Sequence, residues 1–366
     1  MRVLGLTKYG PLGASTRVRT LQYLPHLQDA GLDVTVQPLL NDHYLERRYA
    51  GKGSPLSFFL RTYITRIAES LQARDYDLVW IENELMPWVP GFVERGLLAG
   101  TPYVLDYDDA IFHTYDQHPN RLVRRLMGRK IDRVMRGAAL VVAGNEYLAE
   151  RARAAGAQRV EVVPSVIDLE RYGPVAPLPE GPFTIGWIGS PMSQRLLENI
   201  REPLAEVVAQ PETRLVLVGA TPSALQGVPH ETWTWSEATE VDQMRQFHVG
   251  IMPLADTPWE RGKCGYKLIQ CMGAGRAVIA SPVGVNSSIV KHGVNGFLAT
   301  RPEEWMEAFA RLREDRRRCA RFGLAGRLAV DERYCYSVTA PVLIELLQSI
   351  VASGRSAPVS GERKAA

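Results

Sequence analysis

The chain has only four cysteines in 366 residues, Cys264, Cys271, Cys319 and Cys335, and they form no C-x-x-C pair. That spacing suggests neither a zinc site nor a disulfide framework, and a reducing compartment is expected. No stretch approaches the run of about 18 apolar residues that a transmembrane helix needs. The start, Met1-Arg2-Val3-Leu4-Gly5-Leu6, lacks the longer apolar core and cleavage site of a secretory signal, so a cytoplasmic location is expected. Net charge is only +3, too little to imply nucleic-acid binding, and no nucleic-acid partner is expected. The dinucleotide fingerprint G-x-G-x-x-G is also missing: the turn after the first apolar run reads Gly10-Pro11-Leu12-Gly13-Ala14-Ser15.

What is present is an ordinary globular composition, 46% hydrophobic and 23% charged. The length exceeds the roughly 250–300 residues at which one core stops growing, so two domains are predicted. Apolar runs at Val3–Leu6, Val34–Val36, Leu78–Ile81, Tyr103–Leu105, Leu140–Val142 and Val160–Val163 alternate with amphipathic stretches. A second series follows at Thr184–Ile188, Leu215–Val218, Val249–Met252 and Ala277–Ala280. Short runs that are apolar on both faces suit parallel strands covered by helices. Between the series, residues 173–182 hold four prolines, which reads as an extended linker. The expected organisation is a first domain over 1–173, a linker over 174–181 and a second domain over 182–340. A C-terminal helix over 341–353, returning to the first domain, and a disordered tail over 354–366 complete it. Two doubly wound α/β domains would face a central cleft at their C-terminal strand ends.

The most informative segment is Asp256 to Gly275, D-T-P-W-E-R-G-K-C-G-Y-K-L-I-Q-C-M-G-A-G. A short helix is predicted from about Gly265 to Met272, with Gly273 and Gly275 as C-terminal caps. Arg261, Lys263 and Lys267 cluster at its start, where free N–H groups and the helix dipole also favour an anion. Lys263 and Lys267 are four apart and would share a helical face, which together makes a diphosphate site. The plainer reading is a set of solvated surface charges.

This segment resembles the donor-binding signature of family-4 retaining glycosyltransferases, in particular their bacterial cell-surface polysaccharide branch. Other segments fit in order: Pro11–Arg19, Leu105–Ala110, Val163–Asp168, Gly186–Ser190 and His292–Leu298. The resemblance implies two Rossmann-like domains of GT-B type, no metal and no cofactor. It also implies a nucleotide diphosphate sugar held mainly by the second domain, and an acceptor that is a sugar or a lipid-linked sugar. One departure stands out. The family carries two glutamates eight residues apart, the first on the sugar and the second on the ribose. By register they fall on Gly262 and Gln270. Gln270 can still hydrogen-bond a ribose hydroxyl, and Glu260 is the candidate replacement for the first carboxylate.

Gly189 and Ser190 follow the strand that opens the second domain, where small residues let the backbone approach a phosphate. Arg195 is the nearest additional cation. Gly13 marks the corresponding loop of the first domain, with Arg17 and Arg19 after it on different helix faces. Asp106-Tyr107-Asp108-Asp109 contains a D-x-D pattern that could clamp a metal, but in this fold Asp108 or Asp109 is read as orienting the acceptor hydroxyl or taking its proton. The alternative is that one of them caps a helix. His113 and His248 are read as structural. Residues 121–136 carry seven basic residues and one acid, with Val123, Met127, Ile131 and Val134 on one stripe. That is the pattern of a helix lying on an anionic membrane, or of an ordinary helix packed on a sheet. The expected function is transfer of a hexose-like sugar with retention of configuration, at the cytoplasmic face of the membrane. A nucleotide-sugar epimerase and a non-catalytic nucleotide-sugar-binding protein are the alternatives.

Overall fold

Runs that are apolar on both faces form two parallel sheets in the computed structural model, which describes residues 1–355. The first sheet contains β1 (Arg2–Tyr9), β2 (Asp33–Leu40), β3 (Leu78–Glu82), β4 (Tyr103–Tyr107), β5 (Leu140–Ala143) and β6 (Val160–Val162), in the order β2-β1-β3-β4-β5-β6. The second contains β7 (Phe183–Ile188), β8 (Thr213–Val218), β9 (Glu231–Trp233), β10 (Val249–Met252), β11 (Ala277–Ala280) and β12 (Gly296–Leu298), in the order β12-β11-β10-β7-β8-β9. Both are Rossmann-like, and together they make the two-domain GT-B arrangement. β9 and β12 are additional to the expected strands. Each is a three-residue edge strand whose apolar signal is too short to register.

The strand order reverses between β1 and β3 in the first sheet and between β7 and β10 in the second. Open α/β sheets bind ligands beyond the carboxyl ends of strands at such a reversal. The loops Gly10–Gly13 and Gly189–Ser190 leave β1 and β7 at these two points.

The C-terminal helix runs from Tyr336 to Arg355, so it starts earlier than the expected 341 and continues past 354. Pro341 falls inside it, and the helix continues through the proline. Its mean hydropathy and length would suit a membrane span. However, Tyr336, Leu343, Leu347 and Ile350 are buried with Val3, Trp80 and Val142 of the first domain's core. The remainder of the expected tail, 356–366, lies outside the described residues. The proline-rich stretch has no regular structure over 174–181 and is tied to the second domain, since the buried Arg276 donates to the carbonyls of Ala176 and Pro177 at 3.1 Å each.

The basic segment 121–136 is not one helix. It forms Arg121–Met127 and Lys130–Gly137, interrupted at Gly128 and Arg129. A Cβ on Gly128 would stand 2.3 Å from the Arg124 carbonyl oxygen, so the chain turns sharply there. Ile131 and Val134 of the second helix are buried in the core, whereas Leu122 and Leu126 of the first face solvent.

Candidate active site

One loop of the second domain crosses the cleft. Gly262, Lys263 and Cys264 of the second domain lie against the ends of β4 and β5 in the first. Asn145 caps the helix Glu146–Ala154 with its Oδ1, which accepts from Leu148 N at 3.0 Å. Its Nδ2 donates to the carbonyls of Gly262 at 2.9 Å and Lys263 at 3.0 Å. The Cys264 thiol donates to the Asp108 carbonyl at 3.2 Å and is buried among first-domain core residues. Gly262 touches Ala110: a Cβ on Gly262 would stand 2.5 Å from that of Ala110. There is thus no room here for the glutamate that the family pattern places at this position.

Lys263 Nζ donates to Asp109 Oδ1 at 2.7 Å across the cleft. Burial alone would lower its pKa, but the Asp109 carboxylate outweighs burial and holds it above the ordinary lysine value. Lys263 lies outside the helix, which runs Tyr266–Gly273 behind a left-handed Gly265 at φ 68°. Lys263 and Lys267 therefore do not share a helical face. Gly273 is the last helical residue and Ala274 the cap; a Cβ on Gly273 would meet Ile167 Cδ1 at 2.1 Å. Gly275, at φ 73°, takes the left-handed turn.

Lys267 sits in different surroundings. No carboxylate among the described residues is within ion-pair distance of it, and its Nζ lies 5.8 Å from the centre of the Trp187 ring. Burial, then the charge of Lys263, bring its pKa down to about 8. Trp187 also packs under Gly189, where a Cβ would stand 2.5 Å from the indole. Lys267 and the Gly189–Ser190 turn therefore meet around one indole at the strand-order reversal. Ser190 N donates to Ser193 Oγ at 3.2 Å.

Glu260 is buried in the short helix Pro258–Arg261. It accepts from Arg195 at 3.2 Å and from the Thr257 hydroxyl. Arg261 is exposed and forms a two-pronged pair with Asp256 at 2.6 and 3.0 Å, away from the two lysines. Gln270 is buried and donates to Glu240 Oε2 at 3.2 Å. Glu240 also accepts from Trp235 Nε1 at 3.0 Å, so a carboxylate stands beside Gln270 although the helix itself carries none.

On the first-domain side, Asp106 is buried and its Oδ1 is held by the buried Arg19, both contacts at 2.8 Å. That pairing already matches the charge of the first aspartate of the D-x-D pattern. Among the described residues no group of three or more His, Cys, Asp or Glu could hold a metal ion. Neither Asp108 nor Asp109 caps a helix; the next helix starts at His113 with Phe112 at its N-cap. Asp108 has a buried Oδ1 with no partner, and burial, then Asp109, raise its pKa. Gly13 ends a tight turn, its N donating to Gly10 O at 2.9 Å. Arg17 reaches the second domain, its guanidinium 4.5 Å from the Trp235 ring centre. His113 and His248 are held by structural hydrogen bonds, His248 accepting from Thr184 N at 3.0 Å.

The site contains residues that sequence reasoning did not find. A cavity of about 670 Å³ opens between the domains beside Asp109, walled by Tyr9, Tyr44, Phe59, Tyr63, Trp88 and Trp259. Glu82 and Asn83 line it too. Glu82 Oε2 accepts from Thr16 at 2.5 Å, while its Oε1 is buried with no partner. Burial, then the charge of Asp108, push its carboxyl up to about 7. Asn83 has φ 62°, an uncommon conformation outside glycine, and its Oδ1 also has no partner. The only local signal was their position at the end of β3.

Two comparisons with protein families decide the class. Residues 12–165 match the model of the glycosyl transferase 4-like domain, and residues 182–315 match that of the glycosyl transferases group 1. Both domains are glycosyltransferase domains. The glycosyltransferase also resembles solved structures over nearly its whole length. A sucrose-phosphate synthase from Thermosynechococcus elongatus superposes with a TM-score of 0.73 at 17% identity, covering 96% of this chain and 100% of that one. HepE of Anabaena in complex with UDP-glucose gives 0.69 at 18%, covering 95% and 100%. A glycosyltransferase from Rickettsia africae gives 0.66 at 11%, covering 96% and 98%. At these identities the likeness shows the fold. No curated protein matches this glycosyltransferase in sequence.

Proposed function

We propose that this glycosyltransferase moves a hexose-like sugar from a nucleotide diphosphate sugar to an acceptor hydroxyl with retention of configuration, at the cytoplasmic face of a membrane, in cell-surface polysaccharide or glycolipid synthesis. The observation that carries the reading is Lys267: a cation without a counter-charge among the described residues, beside the Gly189–Ser190 turn, at the strand-order reversal of the second domain. A diphosphate would supply the missing charge. The structural neighbour HepE, solved with UDP-glucose, makes uridine nucleotides the first donors to try.

In the reaction the bond between the anomeric carbon and the donor phosphate breaks, and the acceptor oxygen bonds to that carbon on the same face. Charge then builds on the leaving diphosphate. Lys267 neutralises it, and Lys263 joins when it exchanges Asp109 for phosphate. The exchange frees Asp109 next to the aromatic cavity, where the acceptor sugar stacks. Asp108, Asp109 and Glu82 then present carboxylate oxygens to its hydroxyls, and the acceptor proton leaves towards them or towards the departing phosphate. Glu260, held by Arg195, contacts the donor sugar, and Gln270 with Glu240 the ribose. Lysine side chains take the part that a divalent ion plays elsewhere, so turnover is expected to survive EDTA.

A thermal-shift screen of nucleoside diphosphates and nucleotide sugars tests the reading, since a ligand that binds the folded state raises its apparent stability. The matching donor should then be hydrolysed slowly without acceptor. Binding without any turnover would favour a nucleotide-sugar sensor, and interconversion of donors without acceptor an epimerase.

A further inference from the structure

The helix Leu56–Leu71 turns an apolar face to solvent. Leu56, Leu60, Ile64, Ile67 and Leu71 follow one another at helical spacing and are from 39% to 83% exposed. Over 16 residues this stripe is roughly 24 Å long. The helix packs on Gly91–Leu97, which presents Phe92. Gly91–Leu97 in turn packs on Lys130–Gly137, directly after the helix that presents Leu122 and Leu126. Tyr63, on the helix Leu56–Leu71, and Trp88, just ahead of Gly91–Leu97, line the cavity proposed for the acceptor.

The exposed charges on these three helices all have one sign. The exposed residues of the three helices include Arg61, Arg95, Arg121 and Arg125 and no carboxylate. Glu69 and Glu94 point inward to Arg66 and Lys130. A second copy would not suit such a face, because a two-fold pair would set arginines against arginines. An extended apolar stripe rimmed by cations matches a helix lying in the interface of an anionic bilayer.

We propose that helices Leu56–Leu71, Gly91–Leu97 and Arg121–Met127 together dock the protein on an anionic phospholipid surface, with Leu56–Leu71 as the apolar element that enters it. This extends the membrane reading above from the basic segment to a different helix, and it places the mouth of the acceptor cavity at the lipid.

The test is co-sedimentation with phosphatidylglycerol–phosphatidylcholine vesicles and with phosphatidylcholine alone. The wild type should pellet with the anionic vesicles only. Leu60→Ser with Ile64→Ser should weaken binding at least roughly tenfold, since two large apolar side chains leave the interface. Arg61→Gln with Arg121→Gln and Arg125→Gln should weaken it roughly fivefold per arginine, and only at low salt. Both sets change exposed side chains, so circular dichroism should match wild type. Wild-type-like binding by either variant overturns the proposal, as does no binding by the wild type. Sedimentation showing a dimer that Leu60→Ser with Ile64→Ser disperses overturns it in favour of self-association. Donor hydrolysis in solution is measured in parallel. Vesicle binding without donor turnover counts against the transferase reading alone, and turnover without vesicle binding counts against the docking face alone.

Discussion

Lys263 and Lys267 are four residues apart and meet opposite surroundings. Lys263 crosses the cleft to Asp109 at 2.7 Å, and its loop is held by Asn145 and Asp108. Lys267 stays in its own domain above Trp187, without a carboxylate, and its pKa falls to about 8. The first is a charge already spent on holding the domains together. The second is a charge left over, which a folded protein keeps at a cost unless an anion arrives. On the proposed reading, Lys263 closes the cleft until phosphate displaces Asp109, whereas Lys267 is free for the anion from the outset.

Replacing Lys267 should give the largest effect. Lys267→Met should lower donor turnover by roughly two to three orders of magnitude, as loss of a group facing developing charge does. The same change should raise the melting temperature, because an unpaired half-buried cation is removed. A drop in melting temperature would contradict the absence of a partner. Lys263→Ala should cost less turnover, roughly tenfold to a hundredfold, and should loosen the cleft, visible as a larger radius of gyration in solution scattering.

Asp109→Asn sharpens the comparison from the other side. It releases Lys263 from a part-exposed ion pair, so nucleoside diphosphate should bind roughly fivefold tighter, in keeping with about 1 kcal/mol for such a pair. Titration calorimetry checks this, and unchanged affinity would mean that Lys263 and phosphate do not compete. Asn145→Asp is the subtler test of closure. The carboxylate can still cap its helix but cannot donate to Gly262 and Lys263, so the cleft should open while the helix is retained. The acceptor side has a pH signature of its own. Glu82 ionises near pH 7, so the transfer rate should rise through that pH and the rise should vanish in Glu82→Gln.

The apolar runs made the fold legible, because strands buried on both faces have little choice of residue. The two missed strands are three-residue edges, where that constraint is weakest. Pro341 and Gly128 behave in opposite ways. The helix runs on through Pro341, while Gly128 within the basic amphipathic stretch marks a real break. In the site, Glu260, Lys263 and Lys267 could be picked out as candidates because they cluster in sequence. Asn145 lies 117 residues from Gly262, and Glu82 lies 66 from Thr16, so only the fold brings them together. Gly262 shows the same limit: its missing side chain reads as a lost glutamate in the sequence and as contact with Ala110 in the structure.

Proton uptake on binding a nucleoside diphosphate tests the central claim most directly. Free Lys267 loses its proton as pH rises through about 8, and a bound diphosphate raises its pKa again. Affinity should therefore be constant below that pH and fall above it. Calorimetry of UDP, or of the diphosphate that the screen selects, at about pH 8.5 in buffers of different ionisation enthalpy should show net proton uptake in the wild type and none in Lys267→Met. Diphosphate binding that takes up no proton in the wild type, or the same uptake in both proteins, would contradict Lys267 as the cation that meets the donor.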